Sequence, residues 1–207
     1  MKRYIAFLSV LVICVSSCVK DRVSVASTGP VVIGDRKLIH YWSFNSGTDS
    51  TTLSVPDTTI GGGRISFSFA PNGYADGVSP GAGLNLRHGQ DTGSGMRVRN
   101  PFYSWVLHAP TTGYKQPIVQ FAIQKSNSGP ASNTISYTTD GVNYTTDGLN
   151  ATSILFTTTW TLYSLDFSAI SAVNDNPKFA IKFTNSIADT SGGNDRYDNI
   201  SVDAFVK

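Results

Sequence analysis

The chain contains no glutamate, and this absence limits both its secondary structure and its chemistry. All fourteen acidic residues among the 207 are aspartates. Glutamate favours helices, whereas aspartate favours turns and helix caps, so the acidic residues do not support a helical fold. A glycan hydrolase that cleaves with two carboxylates would need both to be aspartates, which makes this class of enzyme a minor alternative.

Cysteine and charge are also scarce. The two cysteines are Cys14 and Cys18, so no disulfide and no cysteine-based metal or redox site is expected after residue 18. Charged residues make up 14% of the chain, with 16 basic and 14 acidic side chains. Without Lys2 and Arg3 the numbers of basic and acidic side chains would be equal, at 14 each. Because proteins that bind nucleic acid are usually basic, we expect no nucleic-acid partner.

The motifs of common enzymes are missing. His40, His88 and His108 lack the spacing of zinc ligands, and no nucleophile elbow, phosphate-binding loop or dinucleotide fingerprint is present. Residues 91–94 spell the Asp-Thr-Gly-Ser of aspartic proteases, but they follow a polar segment and lack the second copy with which the aspartate would share a proton. We therefore predict no catalytic residues and no required cofactor.

The first eighteen residues have the layout of an export signal. Lys2 and Arg3 are followed by an apolar stretch over 5–15, and two serines then precede Cys18. This arrangement resembles the lipobox of bacterial lipoproteins, in which the peptide is cut before the cysteine and the cysteine carries the lipid. The resemblance implies a signal peptide over 1–17 and a protein anchored to the membrane of the cell envelope through lipid on Cys18. The resemblance implies attachment to the outer membrane and leaves open whether the domain lies on its periplasmic or its external face. The alternative is an ordinary cleaved signal peptide.

Residues 18–37 are predicted to be a flexible tether, because they have no sustained hydrophobic period and contain a Gly-Pro break at 29–30. The remaining residues, 38–207, have the length of one domain. Short runs of alternating apolar and polar residues recur through them and indicate strands. These runs cover 38–44, 64–69, 117–124, 133–139, 142–145, 160–166, 178–183 and 196–206.

This pattern predicts an all-β fold. Asp140-Gly141, between two of the runs, is a strong signal for a hairpin turn. Nine or ten short antiparallel strands in one domain of this length predict a β-sandwich of two sheets, of the jelly-roll type.

Six fragments are together similar to one family of secreted bacterial β-sandwich modules, related to carbohydrate-binding modules and to galactose-binding-like jelly rolls. The most specific is Arg-Tyr-Asp-Asn-Ile-Ser-Val at 196–202. The fragments occur, in order, at 40–45, 84–87, 96–101, 112–115, 136–141 and 194–202. The resemblance implies a module that binds glycan or another surface ligand without catalysis. A structural or adhesion module that binds a surface protein is the alternative.

A structural calcium ion is a further expectation. Strict alternation along the last strand would place Asp198 on the same face as Ile200, toward the core, and a buried carboxylate needs partners. Carbohydrate-binding modules of similar fold often hold calcium near the last strand and the turn after the first. The resemblance implies the nearest oxygen-bearing side chains as ligands, namely Asp198, Asp195, Asn45 and Asp49. The alternative is that Asp198 bonds to backbone N–H groups or to Arg196.

Aromatic side chains are the candidates for ligand binding, since exposed rings form platforms for sugar rings. Trp160 stands at the start of a strand, and Tyr74 and Tyr114 lie in glycine-rich loops. Trp105 lies on an alternating run, a pattern that also fits a core position. Trp160, Tyr114, Tyr74 and Trp105 are therefore the predicted ligand-binding residues, whereas Trp42 is assigned to the core.

Overall fold

The computed structural model describes residues 27–29, 32–68, 75–99, 104–186 and 192–207. Within these ranges the chain forms thirteen β-strands, a four-residue α-helix (α1, Ser50–Leu53) and a 3-10 turn at Ser171–Val173. No helix in these ranges has the length and apolar character needed to cross a membrane. The export signal, Cys18 and Tyr74 lie outside the described residues.

Eight strands form the larger of two antiparallel sheets. The strand order is β1-β11-β8-β13-β2-β3, with β6 also beside β13 and β5 beyond β6. The strands are β1 (Ser27–Thr28), β2 (Lys37–Trp42), β3 (Thr58–Thr59), β5 (Ala75–Val78), β6 (Gly95–Arg99), β8 (Tyr114–Lys125), β11 (Thr161–Asp166) and β13 (Asn194–Val206).

Five strands form the second sheet, in the order β10-β9-β12-β7-β4. They are β4 (Arg64–Phe67), β7 (Ser104–His108), β9 (Ser132–Thr138), β10 (Ser153–Leu155) and β12 (Ala180–Asn185). All pairings in both sheets are antiparallel. The predicted all-β sandwich of the jelly-roll type is confirmed.

The core between the sheets is held by interleaved aromatic rings. Trp105 stacks on Phe183 with ring centroids 4.1 Å apart and meets the edge of Tyr197 at 4.8 Å. Phe121 meets Phe183 edge-on at 5.5 Å. Such pairs contribute about 0.5–1.5 kcal/mol each beyond the burial of their area. Trp105 is fully buried, so its prediction as a ligand platform is wrong: its alternating run places it in the core.

A β-bulge in β13 reverses the predicted orientation of Asp198. Asp198 pairs with Ala122 and Ser201 pairs with Gln120, so three steps along β13 match two along β8. The extra residue, Asn199, has a φ of 49°. An inserted residue moves every later side chain to the other face of the sheet. Tyr197 and Ile200 therefore both lie in the core, and Asp198 lies on the outer face; its predicted core position is wrong.

Residues 79–94 cross the outer face of the larger sheet and form what we call the strap. The Ala82 N–H donates to Asp198 Oδ2 at 2.5 Å, and Asn85 Nδ2 donates to the Asn199 carbonyl at 2.6 Å. A Cβ on Gly81 would lie 2.4 Å from Asp198 Oδ2, so only glycine allows this close approach. The strap thus covers the polar side chains that the bulge turns outward.

The predicted tether and hairpin both differ in part from the structure. Ser27–Thr28 pairs with β11, so the sandwich includes residues before the predicted boundary at 38. After Asp140-Gly141, residues 142–145 do not form a continuous strand. Thr145 alone pairs with Tyr137 through two backbone hydrogen bonds of 2.9 Å.

We expect Trp105→Ala to lower the free energy of unfolding by about 3–5 kcal/mol, because it removes a buried ring and leaves a cavity. Denaturant unfolding followed by tyrosine fluorescence would measure the loss. Leu155→Ala is the matched control, since Leu155 is 53% exposed and its truncation should cost less than about 1 kcal/mol. Equal losses in the two variants would contradict the aromatic core.

Candidate functional site

The outer face of the five-stranded sheet is polar and uncovered by any strap among the described residues. Arg64 of β4 pairs with His108 of β7. Ser66 of β4 pairs with Val106 of β7, which in turn pairs with Lys182 of β12. Because side chains alternate along a strand, these residues point away from the core. We call this surface the polar face; its members are Arg64, Ser66, Val106, His108, Thr134, Ser136, Thr138, Lys182 and Thr184.

Tyr144 adds an aromatic ring to the polar face. Tyr137 points inward, with its ring 5.7 Å from that of Phe167, and Thr145 pairs directly with it. The neighbouring Tyr144 therefore faces outward, where Lys182 Nζ lies 5.4 Å from its ring centroid. Tyr144 is half-buried, and burial raises the pKa of its phenol. Its ring is held in place and partly accessible.

A cleft of about 320 Å³ opens at one end of the polar face. It lies between the turn before β4, the end of β7, the loop after β9 and the segment before β12. Gly61 and Gly62 form one wall with φ angles of 58° and 85°, a conformation that favours glycine. The lining residues are Gly61, Gly62, Arg64, His108, Pro110, Asp140, Gly141, Pro177, Lys178 and Phe179.

The acid–base groups of the cleft, His108 and Asp140, form hydrogen bonds with other groups of the protein. His108 Nε2 lies 2.8 Å from Ser66 Oγ, and burial, together with the charge of Arg64, lowers the pKa of His108 to about 4. Asp140 accepts hydrogen bonds from the backbone N–H groups of Val142 and Asn143 at 2.8 and 2.7 Å. These bonds hold the pKa of Asp140 well below its ordinary value. At neutral pH the cleft therefore contains a neutral imidazole and an ionised carboxylate.

His40 supports the wall of the cleft from inside the sandwich. Its Nε2 lies 2.8 Å from the carbonyl of Pro110, and its Nδ1 lies 2.9 Å from Thr59 Oγ1. Because a carbonyl can only accept, Nε2 carries the proton and Nδ1 accepts from the threonine. Burial lowers the pKa of His40 to about 4, so this histidine is structural.

Comparison with known proteins places the chain by fold. No family model matches it, and no curated protein sequence matches it. Among solved structures, an arabinose-bound α-L-arabinofuranosidase, MgGH51, is 12% identical with a TM-score of 0.51, over 83% of this chain and 27% of that one. The similarity shows the fold. This chain spans about a quarter of that enzyme.

Two further structures are similar at lower scores. The xylan-binding CBM22-1 domain of Xyn10C from Paenibacillus barcinonensis is 10% identical with a TM-score of 0.49, over 83% of this chain and 97% of that one. The K1 cleaved adhesin domain of Lys-gingipain from Porphyromonas gingivalis W83 is 11% identical with a TM-score of 0.46, over 82% and 98%.

The structure does not bring together the four side chains predicted to bind calcium. Asp49 caps α1 by accepting from the N–H groups of Thr51 and Thr52, both at 2.9 Å. Asn45 Oδ1 accepts from the N–H of Ser94 at 2.9 Å. No three His, Cys, Asp or Glu side chains of the described ranges are grouped as metal ligands.

The other two predicted calcium ligands lie on opposite sides of β13. Asp195 is fully buried between the sheets, where the Tyr197 hydroxyl donates to it at 2.7 Å and the Asn185 amide at 3.2 Å. Asp198 lies beneath the strap, and both of its oxygens accept backbone N–H groups, from Ala82 and Asn199. The four donors therefore do not fit one calcium site. Binding of a structural calcium ion as such stays a prediction.

Two of the predicted aromatic platforms, Trp160 and Tyr114, do not line the cleft. Trp160 is half-buried on the larger sheet, where its ring lies over Gly95, whose Cβ would be 3.3 Å from it. Tyr114 is partly buried against the core. Sequence reasoning missed Tyr144, although the Asp140-Gly141 turn before it was a usable signal that the chain folds back along β9.

The buried carboxyl of Asp198 predicts a pH dependence. Burial raises its pKa to about 8, whereas in the unfolded chain it titrates near its ordinary value. Between about pH 4 and pH 8 the native state therefore holds a proton that the unfolded state has lost, so the contribution of this carboxyl to stability falls progressively across that range and is gone above about pH 8. The free energy of unfolding should fall from about pH 6.5, above the titration of the histidines, to about pH 8 and then level off.

Asp198→Asn should make this fall smaller and end it near pH 7, because Asp195, whose pKa burial raises to about 7, keeps its own part of the fall. Denaturant unfolding at a series of pH values would measure the slope. Asp35→Asn, at an exposed position, is the control and should keep the wild-type slope. An unchanged slope in Asp198→Asn would contradict a protonated carboxyl beneath the strap.

Proposed function

We propose that the chain is a non-catalytic binding module of the bacterial cell envelope that holds a glycan on the polar face and in its cleft. The observation that carries the proposal is the outward ring of Tyr144, which lies beside Lys182 on a sheet face rich in hydroxyl groups. Sugar-binding sites combine an aromatic surface for the apolar side of a pyranose with a few polar groups that fix its orientation.

The polar groups are arranged along the strands in a way that suits an extended ligand. Thr134 of β9 pairs with Thr184 of β12, and Ser136 pairs with Lys182. Neighbouring strands are about 4.8 Å apart, so the polar groups of the two strands recur at a spacing close to the length of a sugar ring. The cleft at the end of this face provides a pocket for one residue of the glycan.

The same groups support binding rather than cleavage. Glycoside hydrolysis needs two carboxylates on either side of the bond. Asp140 is the one carboxylate among the cleft-lining residues, and its oxygens accept hydrogen bonds from the loop that it closes. His108 is bonded to Ser66. No general acid paired with a base is present in the described part of the cleft.

Attachment to the membrane through lipid on Cys18 is part of the proposal. Support comes from the sequence of residues 1–18, with its basic start, apolar stretch and small residues before the cysteine. Anchored in the outer membrane, the module would hold a glycan close to the cell.

We expect Tyr144→Ala to weaken glycan binding about tenfold, which corresponds to about 1.4 kcal/mol, because the stacking surface is lost. The measurement is affinity electrophoresis and calorimetry of the full-length chain in mild detergent against a panel of plant, algal and bacterial polysaccharides. Trp160→Ala is the matched control, since it removes an aromatic ring from the other sheet. If Trp160→Ala weakens binding and Tyr144→Ala does not, the site lies on the larger sheet.

Cys18→Ser should abolish incorporation of labelled palmitate and move the protein from the membrane fraction to the soluble fraction, because the thiol at the lipobox position is lost. Metabolic labelling and cell fractionation in the native host would test this. Cys14→Ser is the control and should behave as the wild type. Persistent labelling of Cys18→Ser would contradict the lipid anchor.

A further inference from the structure

Three cations on the polar face and its cleft have no acidic partner among the described residues. Arg64 and Lys178 line the cleft, and Lys182 lies over Tyr144. The salt bridges of the described residues join Arg87 to Asp203, Arg97 and Arg99 to Asp76, and Lys207 to Asp175. None of them involves Arg64, Lys178 or Lys182.

The chain places these three charges together. Ala180, two residues after Lys178, pairs with His108, and His108 pairs with Arg64. Arg64 thus lies in the row of Ala180, and Lys178 lies just before that row, ahead of the first residue of β12; both line the cleft. Lys182 lies one row further along the face. A ligand that crosses from Tyr144 into the cleft passes all three.

Asp140, the cleft's one acidic side chain among the described residues, forms no salt bridge with them. Two cations against one carboxylate leave the cleft with a net positive charge. Asp140 Oδ1 accepts from Thr138 Oγ1 at 2.9 Å and from the N–H groups of Val142 and Asn143. Its Oδ2 accepts from Asn143 Nδ2 at 2.7 Å. Turning toward a cation would break the bonds that close the turn. His108, bonded to Ser66, adds no negative charge.

We propose, on the basis of the function proposed above, that the glycan is acidic: a sugar ring stacks on Tyr144 and its carboxylate or sulfate group enters the cleft between Arg64 and Lys178. A guanidinium presents a planar fork that donates two parallel hydrogen bonds to a carboxylate or a sulfate. An ammonium group adds a point charge. A neutral polysaccharide would leave both cations without a partner.

The test compares polymers that differ in charge on a similar backbone. The full-length chain in mild detergent is titrated with polygalacturonate against galactan, and with carrageenan against agarose, at physiological salt. The acidic polymer of at least one pair should bind about tenfold or more tightly than its neutral counterpart, equivalent to about 1.4 kcal/mol. The first pair identifies a carboxylate and the second a sulfate as the group that is bound.

Arg64→Gln combined with Lys178→Gln should reduce the affinity for the acidic polymer to about that of the same variant for the neutral one. Both side chains are exposed, so folding is not at risk; a thermal melt checks it. Lys37→Gln combined with Lys115→Gln removes two exposed charges from the larger sheet and should leave both affinities unchanged.

Each remaining outcome has a definite meaning. Equal affinity for acidic and neutral polymers, with loss of both in Tyr144→Ala, would overturn the acidic specificity and leave glycan binding intact. Binding of no polysaccharide would overturn both proposals. Equal weakening by the control pair, or equally tight binding of double-stranded DNA, would show unspecific attraction of polyanions and overturn the acidic-glycan site.

Discussion

The bulge in β13 is the constraint on which the rest of the sandwich depends. β13 is the longest strand, and it pairs with β8 along one edge and with β6 and then β2 along the other. The extra residue at Asn199 lets Tyr197 and Ile200 both face the core. Asp198 is turned to the opposite side, where the strap can bind it. Without the bulge, either the aromatic core or the strap would lose its partners.

The outer faces of the two sheets differ because only the larger sheet contains the bulge in β13 that turns extra polar side chains outward. The larger sheet carries the polar side chains that the bulge turns outward, and it satisfies them with the strap: Asn85 bonds to Asn199, and Arg87 pairs with Asp203. The five-stranded sheet has regular alternation, so most of its outward side chains are polar, and no strap among the described residues covers them. The face that needs no covering is the one available to a ligand.

Much of the fold could be predicted from the sequence, because alternation is a local property. The runs predicted to begin at 64, 117 and 178 overlap β4, β8 and β12, and the absence of a helical period correctly indicated that the described residues contain little helix. The orientation of Asp198 could not be predicted in this way. A bulge depends on which residues of β8 and β2 lie opposite, and one extra residue reverses the face without changing the local pattern.

The candidate site was less predictable than the fold. Trp105 and Trp160 are the more conspicuous aromatics, but one is in the core and the other lies over Gly95. Tyr144 and the cleft arise where four separate segments of the chain meet. The sequence by itself determined the strand-rich composition, the β-sandwich class and the features of an export signal, since each is local. Only the tertiary structure decided which side chains share a face, because strand pairing brings together residues as far apart in the sequence as Ser66 and Lys182.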